Sequence, residues 1–102
     1  MIDLIEAHQT ELVEVCRKHY VKTLELFGSA VGGGWNSATS DLDFLVEFGP
    51  LGPGQLFDNF FELKYSLEEL FGRKVDLVIP RSIRNPYFLA GVNRTRQVLY
   101  AA

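Results

Sequence analysis

Two short apolar runs joined by a polar loop constrain the fold of this chain more than any other feature. The first run covers residues 21–27 and ends at Gly28-Ser29, and the second covers residues 42–48 with Asp41 and Asp43 at its start. Their β-branched and apolar composition predicts two strands. The glycine- and serine-rich residues between the runs predict a loop, with one helical turn directly after Gly28-Ser29.

The two aspartates that open the second strand predict a cation site. Residues i and i+2 of a strand point to the same face, so Asp41 and Asp43 present their carboxylates side by side. Such a pair is unfavourable inside a fold unless a cation lies between the charges. A third acid, Asp76, interrupts the apolar residues of a predicted strand over 74–79. If that strand lies beside the second one, all three carboxylates converge, and oxygen ligands favour Mg²⁺ or Mn²⁺ over zinc.

Gly28-Ser29 is suited to a phosphate group. Glycine at a strand end allows close approach of the backbone, and the serine hydroxyl can donate to a phosphate oxygen. With the acids, this combination predicts two-metal phosphoryl or nucleotidyl transfer. Taken singly, each feature also has an ordinary structural explanation, because Asp41 could belong to a turn and Asp76 could pair with Arg73 or Arg81.

Apolar residues at helical spacing predict two long helices. Residues 3–19 form the first, with Asp3 as N-cap, Glu6 completing a capping box, and Ile5, Leu12 and Cys16 on the buried stripe. Residues 56–71 form the second, ended by Gly72. Its leucines and phenylalanines are all expected in the core: Leu56, Phe57, Phe60, Phe61, Leu63, Leu67, Leu70 and Phe71.

The C-terminal third predicts a short helix and a last strand. Asn85-Pro86 is typical of a helix start, and the helix is expected to continue to about Val92. Residues 97–100 predict an edge strand. The element order α-β-loop-β-α-β-α-β indicates an α+β two-layer fold, in which helices cover one face of a sheet and leave the other open. The length predicts a single domain over residues 1–102.

Charge and cysteine content limit the possible partners and the expected cellular compartment of the protein. The net charge of −3 combines a balance of −8 over residues 1–72 with +5 over residues 73–102. The basic third could face a triphosphate, RNA or an acidic partner, or could be an ordinary solvated surface. One cysteine, Cys16, excludes an internal disulfide and fits a reducing cytoplasm, and no apolar run is long enough to span a membrane.

Four strings together resemble the minimal nucleotidyltransferase (MNT) family of the DNA polymerase β-like nucleotidyltransferase superfamily. They are LFGS at 26–29, SDLDFLVEF at 40–48, GRKVDLV at 72–78 and RNPYF at 84–88. The resemblance covers roughly residues 23–100. It implies a nucleotidyltransferase-like α/β palm, with a small mixed β-sheet and helices on one face, that uses Mg²⁺ and takes ATP or another nucleoside triphosphate as donor. It also implies that Asp41, Asp43 and Asp76 are metal ligands and catalytic residues, Asp76 helping to activate the acceptor hydroxyl, and that Gly28 and Ser29 bind the donor phosphates.

The same resemblance implies a protein partner. Such proteins are often antitoxins that transfer AMP to a tyrosine of a HEPN-domain toxin. The family often has arginines just after Gly-Ser, where this chain has Ala30-Val31-Gly32-Gly33. That difference motivates the alternative of a non-catalytic antitoxin, or interaction module, that neutralises its partner by binding. Transfer to RNA or a small molecule ranks lowest, because the chain lacks a second domain that would form an acceptor pocket.

Two stretches of the C-terminal third have more than one interpretation. The apolar segment 86–89 is either core or part of a partner interface. Four arginines could replace the cations that the loop lacks, namely Arg81, Arg84, Arg94 and Arg96.

Overall fold

The computed structural model of the chain describes residues 2–32, 34–36 and 40–102. Gly33 and residues 37–39 of the predicted loop therefore lie outside the described residues. The helices and strands, in chain order, are α1 (Asp3–Glu6), α2 (Gln9–Lys18), β1 (Val21–Phe27), α3 (Ser29–Gly32), β2 (Leu42–Phe48), α4 (Leu56–Phe71), β3 (Val75–Val78), α5 (Pro86–Thr95) and β4 (Gln97–Ala101), with a 3₁₀ turn at Pro80–Ser82.

The four described strands form one mixed sheet in the order β3-β2-β1-β4. β1 is antiparallel to both of its neighbours, β2 and β4, whereas β2 and β3 run parallel. The predicted α+β fold with a small mixed sheet is confirmed, and β4 lies at the sheet edge as expected. Two cross-strand pairs of this register matter for the site: Phe27 is opposite Asp43, and Asp43 is opposite Asp76.

The main core lies on one face of this sheet. Alternate residues of β1, β2 and β3 point into it, among them Leu24 and Leu26 of β1 and Phe44 and Val46 of β2. Helices α1, α2 and α4 supply the opposing side chains, including Ile5, Leu12, Cys16, Leu63, Leu67 and Phe71. Each fully buried side chain of this size contributes about 1.5–3 kcal/mol, so this face provides most of the stability of the fold.

Helix α5 packs against the opposite face. Its Val92 is buried against Phe27 of β1 and Leu45 of β2, which together form a small second cluster. The sequence predicted that this face is open, and the packing of α5 against part of it was not predicted. Residues of β2 and β3 on the same face are acidic, Asp43 and Asp76, so this side of the sheet carries an apolar end and a charged end.

The N-terminal helix differs from its prediction. Two helices replace the single one, with the break at Ala7 and His8, and the N-cap of α1 is Ile2 rather than Asp3, with no side-chain cap. The His8 Nδ1 donates to the Leu4 carbonyl at 2.8 Å, and the His8 backbone N–H bonds to Ile5 at 3.1 Å. The Leu4 carbonyl is thus taken by a side chain, and the i−4 pattern stops there.

Helix α4 has the predicted bounds, and Gly72 ends it in a left-handed conformation with φ of 65°. The prediction that all its large apolar residues are core is wrong. Leu63, Leu67 and Phe71 are buried, but Leu56 is 42% exposed and Phe57 71% exposed. Helical spacing of four places Phe57, Phe61 and Tyr65 in a separate row, where Phe57 and Phe61 contact each other with centroids 4.9 Å apart.

Candidate active site

The turn after β1 requires a glycine. Gly28 has φ of +78°, which side chains rarely adopt, and a Cβ there would lie 2.5 Å from Oδ2 of Asp43. The Gly28 carbonyl accepts from the backbone N–H groups of Val31 and Gly32 at 3.1 and 2.9 Å, which starts the helical turn α3 at Ser29. The predicted turn after Gly28-Ser29 is therefore present, and it sets the backbone directly against a carboxylate.

The three predicted acids lie near one another where β2 and β3 begin. Asp43 and Asp76 are register neighbours on parallel strands, on the face that α5 partly covers, and Asp41 lies two residues before Asp43, exposed at the entry to β2. The pKa of Asp43 is raised to about 6, chiefly by burial and then by the charges of Asp76 and Asp41. Like charges therefore act on Asp43 from the neighbouring strand and from the entry to its own strand.

The charges that shift the pKa of Asp43 come from two other carboxylates, Asp76 and Asp41. Among residues 2–32, 34–36 and 40–102, Arg96 forms an ion pair with Glu25, and none is seen between Arg81 and Asp76, which was one of the two alternatives for Asp76. The chain also contains no lysine or arginine between Lys22 and Lys64. Like charges gathered at a half-buried position are the arrangement that a divalent cation stabilises.

The donor chemistry of this group fits Mg²⁺. Carboxylate oxygens are its preferred protein ligands, and one or two of them suffice when water and substrate phosphates complete the octahedron. Within the described residues the acids do not form a closed set of three ligands in contact. Asp43 and a neighbouring carboxylate would therefore be able to hold such a cation, which would neutralise charge on substrate phosphates.

Trp35 fixes the loop that precedes the acids. Its indole Nε1 donates to the Asp41 carbonyl at 3.3 Å, and the guanidinium of Arg73 lies over its ring, 4.7 Å from the centroid. Arg73 lies two residues before β3, the strand that carries Asp76. The Trp35–Arg73 contact thus links the two segments that carry the acids, and the sequence offered no signal for it beyond an isolated tryptophan in a polar loop.

Thr95 is a second residue that sequence reasoning missed. Its Oγ1 accepts from the Gly28 backbone N–H at 2.9 Å, although 67 positions separate the two residues. This bond attaches the end of α5 to the glycine turn, and a threonine in the last turn of a predicted helix gives no warning of it. Ala30, in the turn that follows, is buried at 5% exposure, so its side chain points to the core and not to the acids.

A cleft of about 360 Å³ lies between the glycine turn and α5. Gly28 and Asp43 line its sheet side, and Tyr87, Phe88 and Gly91 line its helix side. Tyr87 is 87% exposed and Phe88 46% exposed, so the interpretation of this segment as core is wrong for both. Asn85 caps α5 as predicted, accepting from the N–H groups of Tyr87 and Phe88 through its side-chain oxygen.

The four arginines considered as replacement cations have different surroundings, and Arg84 is exposed on the segment before α5. Arg96 is bound to Glu25, with Nε donating at 3.0 Å, and to Asn93. Arg81 lines another cavity with Glu47 and Phe48. Arg94 extends back along α5, with one terminal nitrogen 3.6 Å from the position that a Cβ of Gly91 would take, which places its charge beside a residue of the cleft.

The match to a known family covers most of these elements. Residues 10–98 match the family described as nucleotidyltransferase domain. The chain belongs to this family. It is a nucleotidyltransferase, as the resemblance of its four strings to minimal nucleotidyltransferases indicated. In the described part of this nucleotidyltransferase, no helix is long and apolar enough to cross a membrane.

Relatives of this nucleotidyltransferase carry a related activity in their names. It is 36% identical over 99 residues to the protein adenylyltransferase MntA of Thermococcus cleftensis, covering 95% of this chain and 88% of that protein. It is 42% identical over 85 residues to a Methanocaldococcus jannaschii protein provisionally named a protein adenylyltransferase, covering 83% and 80% of the two chains.

Solved structures share the fold. A structure provisionally described as a minimal nucleotidyltransferase matches with a TM-score of 0.72 and 31% identity, over 94% of this chain and 95% of that one. A toxin–antitoxin structure with AMP-PNP matches with a TM-score of 0.67 and 22% identity, over 92% and 73% of the two chains. The second similarity concerns the fold alone.

Proposed function

We propose that this nucleotidyltransferase is an Mg²⁺-dependent protein adenylyltransferase that transfers AMP from ATP to a hydroxyl group, a tyrosine, of a HEPN-type toxin, and so acts as an antitoxin. The observation that carries the proposal is the juxtaposition of Gly28, Asp43 and Asp76. A backbone turn that only glycine can occupy lies against one carboxylate, and a second carboxylate is its register neighbour on the next strand.

The residues of this chain have separate roles in the transfer. The acceptor oxygen attacks the α-phosphorus, a new P–O bond forms, the bond to the β-phosphate bridging oxygen breaks, and pyrophosphate leaves with the electron pair. Asp41, Asp43 and Asp76 would hold the metal, and Asp76 would also accept the proton of the acceptor hydroxyl. Bound Mg²⁺ supplies charge neutralisation at the phosphates. Gly28 allows the donor to approach the backbone, and Ser29 donates its hydroxyl to a phosphate oxygen.

The nature of the acceptor rests on the relatives. The Thermococcus cleftensis relative is a protein adenylyltransferase by name, and fold neighbours include an MNT antitoxin in complex with a tri-AMPylated HEPN toxin of Shewanella oneidensis. The exposed, half-open position of the acids supports a macromolecular acceptor, since a small cleft beside an open sheet face cannot enclose both substrates.

Mass spectrometry of the partner tests this function. A purified HEPN-type toxin is incubated with the purified chain, ATP and Mg²⁺, and its intact mass is measured. The expected result is the addition of one or more AMP groups at tyrosine, lost with Asp43→Asn and retained with Asp58→Asn, an exposed acid on α4. An unmodified partner after incubation with folded, Mg²⁺-loaded protein would contradict the proposal.

One observation favours the alternative of neutralisation by binding alone. The residues after Ser29 provide no cation, and Ala30 is directed into the core. Growth of cells that express the toxin with Asp43→Ala separates the two functions. If Asp43→Ala protects the cells as well as the original chain does and still co-purifies with the toxin, transfer is dispensable and the binding function is correct. Loss of protection with an intact complex supports transfer.

A further inference from the structure

The aromatic end of the cleft has no assigned role in the transfer. Tyr87 and Phe88 stand at the first turn of α5, on the side of the cleft opposite the turn at Gly28 and Asp43. Exposure of large apolar side chains to water is unfavourable. An apolar surface that borders a reactive site is commonly a surface that binds a ligand. The volume of about 360 Å³ lies near the lower end of the range of about 300–1,000 Å³ that small-molecule sites occupy.

Helix α5 holds this pair rigidly at its N-terminal end. Asn85 caps the backbone of both aromatic residues, through bonds of 2.9 Å to Tyr87 N and 3.2 Å to Phe88 N, and Pro86 fixes the first helical position. The Phe88 ring also packs edge-to-face on Phe27 of β1, with centroids 6.1 Å apart. The Phe88 ring is thereby fixed against the sheet, while Tyr87 leaves its ring face to the cleft and the solvent.

The other end of α5 is attached to the glycine turn. Thr95 accepts the Gly28 N–H bond, and Val92 is 2% exposed in the second cluster. Between the two ends, Gly91 lines the cleft without a side chain, and a Cβ there would meet the Arg94 guanidinium as its nearest neighbour. The fold therefore sets a fixed separation between the aromatic pair and the acids, with a cationic group along the same helix.

We infer that Tyr87 and Phe88 form the surface on which the base of the donor nucleotide stacks. This inference rests on the proposed function. A nucleotide has phosphates, which a metal held by the acids at one end of the cleft would bind. It also has a flat aromatic base, which can stack on the side chains at the other end. Base–aromatic stacking tolerates any base, because every base has a π-face, so the surface selects a nucleoside over a bare phosphate and not adenine in particular.

Calorimetric titration with two ligands tests the inference. Non-hydrolysable ATP analogue and inorganic triphosphate are each titrated into Mg²⁺-loaded protein. Tyr87→Ala is expected to weaken binding of the ATP analogue about 5- to 150-fold, the range for loss of one stacked base, and to leave triphosphate binding unchanged. Tyr87→Phe keeps the ring and is expected to bind as the original chain does. Tyr65→Ala, an exposed tyrosine on α4, is the matched control.

The outcomes separate the inference from the proposed function. If the original chain binds the ATP analogue and Tyr87→Ala binds it equally well, or loses both ligands to the same extent, the stacking surface is refuted while nucleotide use stands. If Tyr87→Ala slows labelling of the partner with analogue binding intact, the surface belongs to the acceptor and the inference is wrong. If the original chain binds neither ligand, the proposed function is contradicted, and the inference that rests on it is wrong as well. Melting temperatures establish that each variant is folded, as expected for so exposed a side chain.

Discussion

The two faces of one sheet are built from alternate residues of the same strands, yet they differ in what they contribute. On one face, Leu26, Phe44 and Leu77 enter a core closed by α1, α2 and α4. On the other, their immediate neighbours include Asp43 and Asp76, which lie beside a glycine turn and are only partly covered by α5. The first face lowers the free energy of the folded state by burying apolar surface, and the second raises it by gathering like charges.

This difference follows from the period of a strand. Because successive side chains point to opposite faces, Phe44 can be fully buried while Asp43, one residue away, is half-buried among carboxylates. A change on the first face should therefore affect folding, and a change on the second should affect chemistry. Substitutions on the two faces test that separation, and the largest effect is expected on the first face.

Removal of the Phe44 ring should have the largest effect on stability. Phe44→Ala leaves a cavity beside Phe71, whose ring stacks on it with centroids 6.0 Å apart, and the free energy of unfolding should fall by about 3–5 kcal/mol. Urea unfolding followed by circular dichroism measures the change. Val98→Ala, on the exposed part of β4, is the control and should change the free energy by less than about 0.5 kcal/mol. A Phe44→Ala protein as stable as the control would show that the first face is not the main core.

Removal of the Asp43 charge should reduce transfer activity without reducing stability. Asp43→Asn keeps the shape of the side chain but removes the charge that holds the metal, so AMP transfer should fall by about 10³-fold, which corresponds to several kcal/mol of transition-state stabilisation. The folded protein should be at least as stable as before. Initial rates of label transfer to the partner, with unfolding curves on the same samples, measure both quantities. A destabilised Asp43→Asn protein would place this residue with the core face.

The features predictable from sequence were those fixed by local periodicity. The bounds of β1, β2 and α4 agree with the structure because alternation and helical spacing are properties of neighbouring residues. The nearness of Asp76 to Asp43 was only conditional, since the parallel pairing of β2 with β3 depends on how the chain crosses over between them. The mistake at the end of α1 involved a side chain that competes with the backbone, because His8 binds the Leu4 carbonyl.

Contacts between distant segments were beyond prediction for a different reason. Thr95 meets Gly28 only because α5 returns to the second face, and no pattern within α5 specifies which face it covers. Likewise, the row of Phe57, Phe61 and Tyr65 has the same spacing as a core stripe. Hydrophobic period identifies a row of side chains on a helix, but when a helix has two such rows, tertiary packing decides which row is buried.

Gly28 tests the contact between the two strands at the site. Gly28→Ala forces a side chain into a left-handed backbone and places its Cβ 2.5 Å from the Asp43 carboxylate, which must move. Transfer should fall by about 10²-fold, the effect of a displacement of about 1 Å in a catalytic group. Gly72→Ala is the matched control, because Gly72 has φ of +65° and an added Cβ meets nothing within 4 Å. Both variants should lose about 1 kcal/mol of stability through backbone strain, measured by urea unfolding. Equal transfer rates for the two variants would show that Gly28 matters only for its backbone conformation.

The pH dependence of stability should give the smallest effect, and it concerns the second face alone. The pKa of Asp43 is raised to about 6, chiefly by burial and then by Asp76 and Asp41, so between about pH 4 and pH 6 the folded protein binds more protons than the unfolded chain. The free energy of unfolding must therefore fall as the pH rises through this window, and the loss is complete above about pH 6. The expected loss is about 1 kcal/mol, because solvent screens a half-buried carboxyl. Urea unfolding at pH 4, 5, 6 and 7 in the presence of a chelator measures it.

The difference between two variants isolates this contribution from the titration of other acids. The stability of the original chain minus that of Asp43→Asn should decrease from pH 4 to pH 7. Addition of Mg²⁺ at pH 7 should restore the lost stability of the original chain and leave Asp43→Asn unchanged, because the cation compensates the charges that the fold brings together. A difference that instead grew with pH would mean that a cationic group already neutralises Asp43, and that the second face is not a site of unbalanced charge.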